Sequence, residues 1–198
     1  GLKNAIRRPF DMGYLRTPFG QTYFLEACGF GYFATGLETY HPDEGKSILR
    51  SLAAAAQTVT GFTAEECRIT LDCEDMSGIY ITFEVMNTKS FGFRFNLAPQ
   101  ANPSDGLLDI VAVQEEGRDS MINYITGLIN NDFQELPSVE TKRGRKLEMI
   151  WPGTFPLHAD AEVISAVREP WNAGLFPVTI EVLPSAFELW LPRMETGG

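Results

Sequence analysis

Residues 97–113 read LAPQANPSDGLLDIVAV, a loop punctuated by Pro99, Pro103 and Asp105-Gly106 that runs straight into an apolar strand. Ser104-Asp105-Gly106 is a turn signal, because an Asp side chain bonds the backbone two residues on and Gly accepts a positive φ. The apolar run over 107–114 is bounded by turn residues and reads as a strand. Further along, a second acidic signal, Asp160 with Glu162, sits in the segment HADAEVI.

Working outward, 10–15 is extended and 22–28 is a strand. The Ala- and Leu-rich stretch 47–59 has apolar positions at helical spacing and predicts a helix that stops near Gly61. Strands over 67–73 and 79–86 flank the Glu74 to Gly78 turn as a hairpin. A strand is expected over 92–97, and a second helix over 119–130 with Met121, Ile122, Ile125, Leu128 and Ile129 on its apolar face. Short strands are then predicted at 139–141, 146–151, 157–159, 163–164, 178–183 and 187–191. Many short strands with two helices point to a mainly β domain, a β-sandwich or barrel decorated by about two helices.

Leaving Gly1 aside, residues 2–198 are expected to form a single domain, since a chain of 198 residues at 44% hydrophobic content can enclose one core. The net charge of −10 argues against nucleic acid as a partner. Two basic clusters run against that sign: Lys3, Arg7, Arg8 and Arg16, and Lys142, Arg143, Arg145 and Lys146. They read as solvated surface or as a patch for anionic headgroups or phosphates. Cys28, Cys67 and Cys73 lack C-x-x-C spacing and are expected to be reduced thiols in a cytosolic protein. No run reaches the ~18 apolar residues of a transmembrane helix, so a membrane substrate would be met from outside the bilayer.

The order of segments resembles the C-terminal half of the diacylglycerol kinase catalytic-domain family, which includes bacterial lipid kinases and the sphingosine and ceramide kinases. Tyr23 to Gly31, YFLEACGFG, is similar to the family's YFLNVAGIGF, and Ala98 to Asp109 to its APxAxxDDGLLD. Phe155 to Glu162 resembles the region ending in the family's DGE, and 177–192 resembles its closing PVTIEVLPGALRVLVP. The family's N-terminal half, with its GGDGT nucleotide loop, has no counterpart here. Gly29-Phe30-Gly31 is a weak candidate for phosphate binding and reads first as glycines relaxing a strand-to-loop bend.

The resemblance implies the substrate and catalytic-base half of a two-domain, ATP-dependent lipid kinase. Its acceptor would be a hydroxyl of diacylglycerol or a sphingoid-like lipid, met by a cytoplasmic protein peripheral to the membrane. Asp160 would be the general base, and Glu162 would orient it or help hold a metal. Asp105 through its side chain, with the carbonyls of Asn102 and Leu107, would hold Mg²⁺, although the same residues read as a plain turn. ATP would be bound mainly by the N-terminal half, so this chain alone is expected to be inactive. Departures from the pattern are Ala161 for the family's glycine, Ser104 for the first aspartate of Asp-Asp, Phe33 for an aspartate, and Ser90-Phe91-Gly92 where relatives show GGG. His158 reads as a satisfied strand histidine or, less simply, as a catalytic group. The alternatives are a non-catalytic lipid-binding or regulatory module on the same sandwich, and a relative of NAD kinase.

Overall fold

The computed structural model describes residues 5–38, 64–91, 96–116, 121–160, 162–164 and 174–191. The helix expected over 47–59, most of the strand expected over 92–97, and Lys3 and Ala161 lie outside the described residues.

In chain order the elements are β1 (Ile6–Thr17), β2 (Gly20–Phe24), β3 (Ala27–Gly31), α1 (Tyr32–Glu38), β4 (Glu65–Leu71), β5 (Glu74–Asp75), β6 (Gly78–Met86), β7 (Leu108–Gln114) and α2 (Met121–Asn130). They continue with β8 (Val139–Gly144), β9 (Lys146–Trp151), β10 (Leu157–Ala159), β11 (Glu162–Ile164) and β12 (Phe176–Leu191). The strands form one curled sheet in the order β11-β10-β3-β6-β4-β9-β12-β1-β2. β5 adds to β4, while β7 and then β8 extend from β6. The paired strands run antiparallel. β4 makes the corner by changing partner along its length: Glu65–Cys67 pair with β6, and Arg68–Leu71 pair with β9.

Two cores lie on the two faces of this sheet. Inside the curl pack Phe24, Phe30, Ile69, Phe83, Trp151 and Ile180. On the other face, Phe33, Ile81, Met86, Val111, Tyr124 and Phe133 pack beneath the helices. β6 and β7 therefore bury both faces, Phe83 and Ile110 toward one core and Ile81 and Val111 toward the other. That is why residues 107–113 read as a continuous apolar run rather than an alternating one.

Three local expectations change. α1 follows directly from Gly31, a short helix that the sequence reading did not include. The two strands expected at 178–183 and 187–191 are one strand, β12, running through Pro184 and Ser185. The register with β1 shifts between Phe10 and Met12, where Pro184, Ser185 and Ala186 bulge opposite Asp11 and Pro184 need not donate to a ladder. On α2, Tyr124 is buried and Leu128 packs against the core, whereas Ile129 is 70% exposed and lies off the face expected for it. Phe33 is a core residue, edge-on to Tyr32 and Phe91.

Candidate active site around Asp160

Asp160 ends β10 with a φ of 52°, the left-handed region that costs an ordinary residue of order 1 kcal/mol. Its backbone repays that strain with fixed bonds. Its N–H donates to the Ala27 carbonyl at 2.7 Å, and its own carbonyl lies 3.0 Å from His158 Nδ1. The carboxylate turns toward the bend between β2 and β3. There Oδ1 accepts the N–H groups of Leu25, Glu26 and Ala27 at 3.3, 2.8 and 3.2 Å, and Oδ2 accepts Leu25 N–H at 3.0 Å. Successive amides converging on one anion form a nest, which favours negative charge at that spot.

The bend is braced from behind. The Glu26 carbonyl accepts the backbone N–H groups of Asn87 and Thr88, at 2.9 and 3.3 Å. Asn87 Nδ2 donates to the carbonyls of Leu25 and Asp11, at 2.9 and 3.0 Å. Asp11, 1% exposed on β1, accepts Gly106 N–H on Oδ2 and Ser185 N–H on Oδ1, both at 2.7 Å. A continuous run of bonds thus joins the Asp160 turn to the 99–107 loop. The sequence reading singled out neither Asp11 nor Asn87. An acidic residue inside an otherwise apolar strand segment, FDMGYL, was the one available signal.

In the loop itself, Gly106 adopts a φ of +72°, and Asp105 Oδ1 accepts Leu107 N–H at 3.1 Å, as the turn signal required. Asp105 Oδ2 is ion-paired with Arg143 of β8, whose Nε also lies 3.4 Å from Asp109 Oδ1. The second oxygen of Asp109 is buried without a partner. Burial raises the Asp109 carboxyl, Arg143 opposes that shift, and Asp105 adds to it. The Asn102 carbonyl accepts the N–H groups of Ser104 and Asp105, at 2.7 and 3.3 Å. These hard oxygens are the donor type Mg²⁺ takes, but an ion at Asp105 would share or displace Arg143. Among the described residues no group of three or more His, Cys, Asp or Glu side chains is gathered for a metal.

Glu162 is exposed on β11, across from Ala159. It lines a cavity of about 200 Å³ with Leu15, Thr17, Phe19, Thr22 and Ile164. The structure therefore separates the surroundings of the acidic pair: Asp160 faces the amide nest and Glu162 faces the cavity. The basic residues are largely paired on the surface, Arg7 with Glu188, Arg16 with Glu181, Lys142 with Glu74 and Lys146 with Glu148. Cys28 and Cys67 are buried and Cys73 is exposed, all as free thiols.

Behind Asp160 lies a buried pair absent from the sequence reading. His158 Nε2 is 2.8 Å from Glu84 Oε2, and both side chains are 0% exposed. Burial pulls the imidazole down, yet the Glu84 charge and the bonds to Glu84 and Asp160 outweigh it and leave His158 above its ordinary value. A raised folded value means that the pair's stabilisation is full below about pH 6.5 and is lost as pH rises through the His158 value. Thermal melts from about pH 6.5 upward should record that decline in the wild type and a flatter profile in Glu84→Gln. Parallel slopes would remove the pair from the pH response.

Among the described residues no helix is long and apolar enough to cross a membrane. Residues 41–191 match the family model described as "YegS C-terminal NAD kinase beta sandwich-like domain". The diacylglycerol kinases of two Mycobacterium tuberculosis strains, CDC 1551 / Oshkosh and H37Rv, are each 29% identical over 107 residues, 54% of this chain and 31% of theirs. A Bacillus anthracis str. Sterne protein assigned as a diacylglycerol kinase superposes with a TM-score of 0.70 at 17% identity, over 95% of this chain and 58% of that one. The chain therefore spans under a third of the mycobacterial proteins and little more than half of the Bacillus one. With the curled sheet, the closing β12 and the matched 41–191 region in agreement, the chain belongs to the YegS C-terminal NAD kinase beta sandwich-like family, the C-terminal domain of diacylglycerol kinase-like proteins.

Proposed function

We propose that this chain is the substrate and general-base half of an ATP-dependent lipid kinase, acting on a hydroxyl of diacylglycerol or a sphingoid-like lipid. The supporting observation is the Asp160 carboxylate, half-buried at the β10 end. Among the described residues its Oδ2 accepts one amide, from Leu25, and keeps a lone pair. In this reading Oδ2 takes the hydroxyl proton as the hydroxyl oxygen bonds to the γ-phosphorus. The bond from that phosphorus to the β–γ bridging oxygen breaks, and ADP leaves. Glu162 orients the acceptor or Asp160 from the cavity rim. ATP is held mainly by an N-terminal nucleotide-binding half, and the lipid is met at a membrane surface by a cytoplasmic protein.

The test is transfer of labelled γ-phosphate to lipid in mixed micelles, using the full-length protein. Vesicle binding without transfer to any lipid would instead favour the non-catalytic module. Mg²⁺ belongs to the same proposal: the Asp105 carboxylate with the carbonyls of Asn102 and Leu107 would hold it, and it would supply positive charge at this loop. Titrating Mg²⁺ should then raise the melting temperature. A hundredfold excess over Kd is worth about 2.7 kcal/mol. Asp105→Ala should abolish the increment, and an equal rise in that variant would reduce Asp105 to a turn residue paired with Arg143.

A further inference from the structure

Glu84, Gly29 and His158 lie in one row across three adjacent strands. Gly29 of β3 is the register partner of Glu84 on β6 and of His158 on β10. A Cβ at Gly29 would stand 2.5 Å from Glu84 Oε2 and 2.3 Å from the Phe83 carbonyl. The missing side chain is what lets the outer two meet over the middle strand. Glu84 Oε1 also takes the Thr82 hydroxyl at 3.3 Å, and the Phe91 ring covers His158 at 4.8 Å. Two fully buried ionisable groups are a costly way to fill a core, since an apolar pair of similar volume is commonly as stable or more so. The pair therefore invites a role besides packing.

His158 has a carboxylate at one ring nitrogen and a carbonyl at the other, and both are acceptors. With the Glu84 carboxylate ionised, each nitrogen donates and the ring carries the positive charge. The carbonyl it grips is that of Asp160, the residue held at positive φ. The charged or titratable groups around it are Glu84 from β6, the Asp160 carboxylate from its own turn, and the Cys28 thiol from β3. Burial first, then Glu84 and Asp160, push that thiol up and keep it neutral.

We propose that His158, anchored by Glu84, is a positioning residue: it clamps the Asp160 carbonyl, fixes the left-handed turn, and so aims the Asp160 carboxylate at the Leu25–Ala27 amides and the acceptor hydroxyl. This rests on the general-base reading of Asp160. His158 touches no reacting atom.

The experiment uses the full-length protein and three variants. His158→Gln places its amide near Nε2, keeping a donor for Glu84 and releasing Asp160. His158→Asn places its amide near Nδ1, keeping the donor for Asp160. Glu84→Gln leaves a neutral imidazole that still donates from Nδ1. Hydrogen exchange at Leu25–Ala27 should rise about tenfold or more in His158→Gln, with the other strands unchanged, while His158→Asn and Glu84→Gln stay near the wild type. Lipid kinase kcat should fall about tenfold or more in His158→Gln at constant KM for ATP, with at least partial recovery in His158→Asn and kcat within about threefold of the wild type in Glu84→Gln. Unchanged exchange at Leu25–Ala27 in His158→Gln would overturn the inference. If that variant does not fold, a collapse of kcat in Glu84→Gln with native exchange at those amides would overturn it instead. Wild-type turnover in Asp160→Asn sinks the general-base reading alone, because the exchange measurement still decides whether His158 holds the turn.

Discussion

Asp160→Asn in the full-length protein should lower kcat by roughly 10²-fold or more while leaving KM for ATP near the wild-type value. The side chain keeps its shape and loses proton acceptance. The amide nest adds a second expectation that the sequence did not suggest. An asparagine oxygen can keep the contacts of Oδ1 with Leu25, Glu26 and Ala27, but its amino group then faces Leu25 N–H where Oδ2 now accepts at 3.0 Å. Donor meets donor, and the remaining bonds lose their charge assistance, so the variant should also lose about 1–3 kcal/mol of stability. Glu162→Gln, on the exposed face of β11, should cost less in both respects. Wild-type turnover on lipid by Asp160→Asn would falsify the general-base role. Denaturation curves coincident with the wild type would show that the nest does not depend on charge.

Asp11→Ala should be the most destabilising of the substitutions considered, by about 3–6 kcal/mol, because hydrogen bonds to a charged group contribute about 1.5–3 kcal/mol each and two are lost. Asp11 is 1% exposed, and its oxygens receive Gly106 N–H and Ser185 N–H at 2.7 Å each. Truncation orphans both amides inside the fold. It also frees the 99–107 loop from the β12 bulge, where Ser185 sits at a φ of 50°. Unfolding in denaturant measures the loss, and a domain of this size should melt about 2–4 °C lower per kcal/mol. A loss under about 1 kcal/mol would mean that water or a neighbouring group takes over both amides. Because Asp11 connects through Asn87 to the Leu25 carbonyl, the same variant is expected to loosen the Asp160 turn.

The mainly β character, the Asp105-Gly106 turn and most strand positions were legible in the sequence, since each depends on residues within a few positions of one another. The apolar run at 107–114 became β7, and the helix expected at 119–130 became α2 over Met121–Asn130. Asp160 was singled out only by likeness to a family, because one acidic residue at a strand end has no local signature. What stayed hidden was set by distant partners. Pro184 looked like a break between strands, yet pairing with β1, over 170 residues earlier, holds 184–186 as a bulge opposite Asp11 and leaves β12 continuous. Glu84 and His158 are 74 positions apart; the sequence reading passed over Glu84 and took His158 for a satisfied strand histidine or a catalytic group. Turn chemistry and apolar periodicity are short-range, and the chain carries them unaided. The order β6-β3-β10 is not: it stacks Glu84, Gly29 and His158 in one row, and only that tertiary row turns two isolated ionisable residues into a buried pair gripping Asp160.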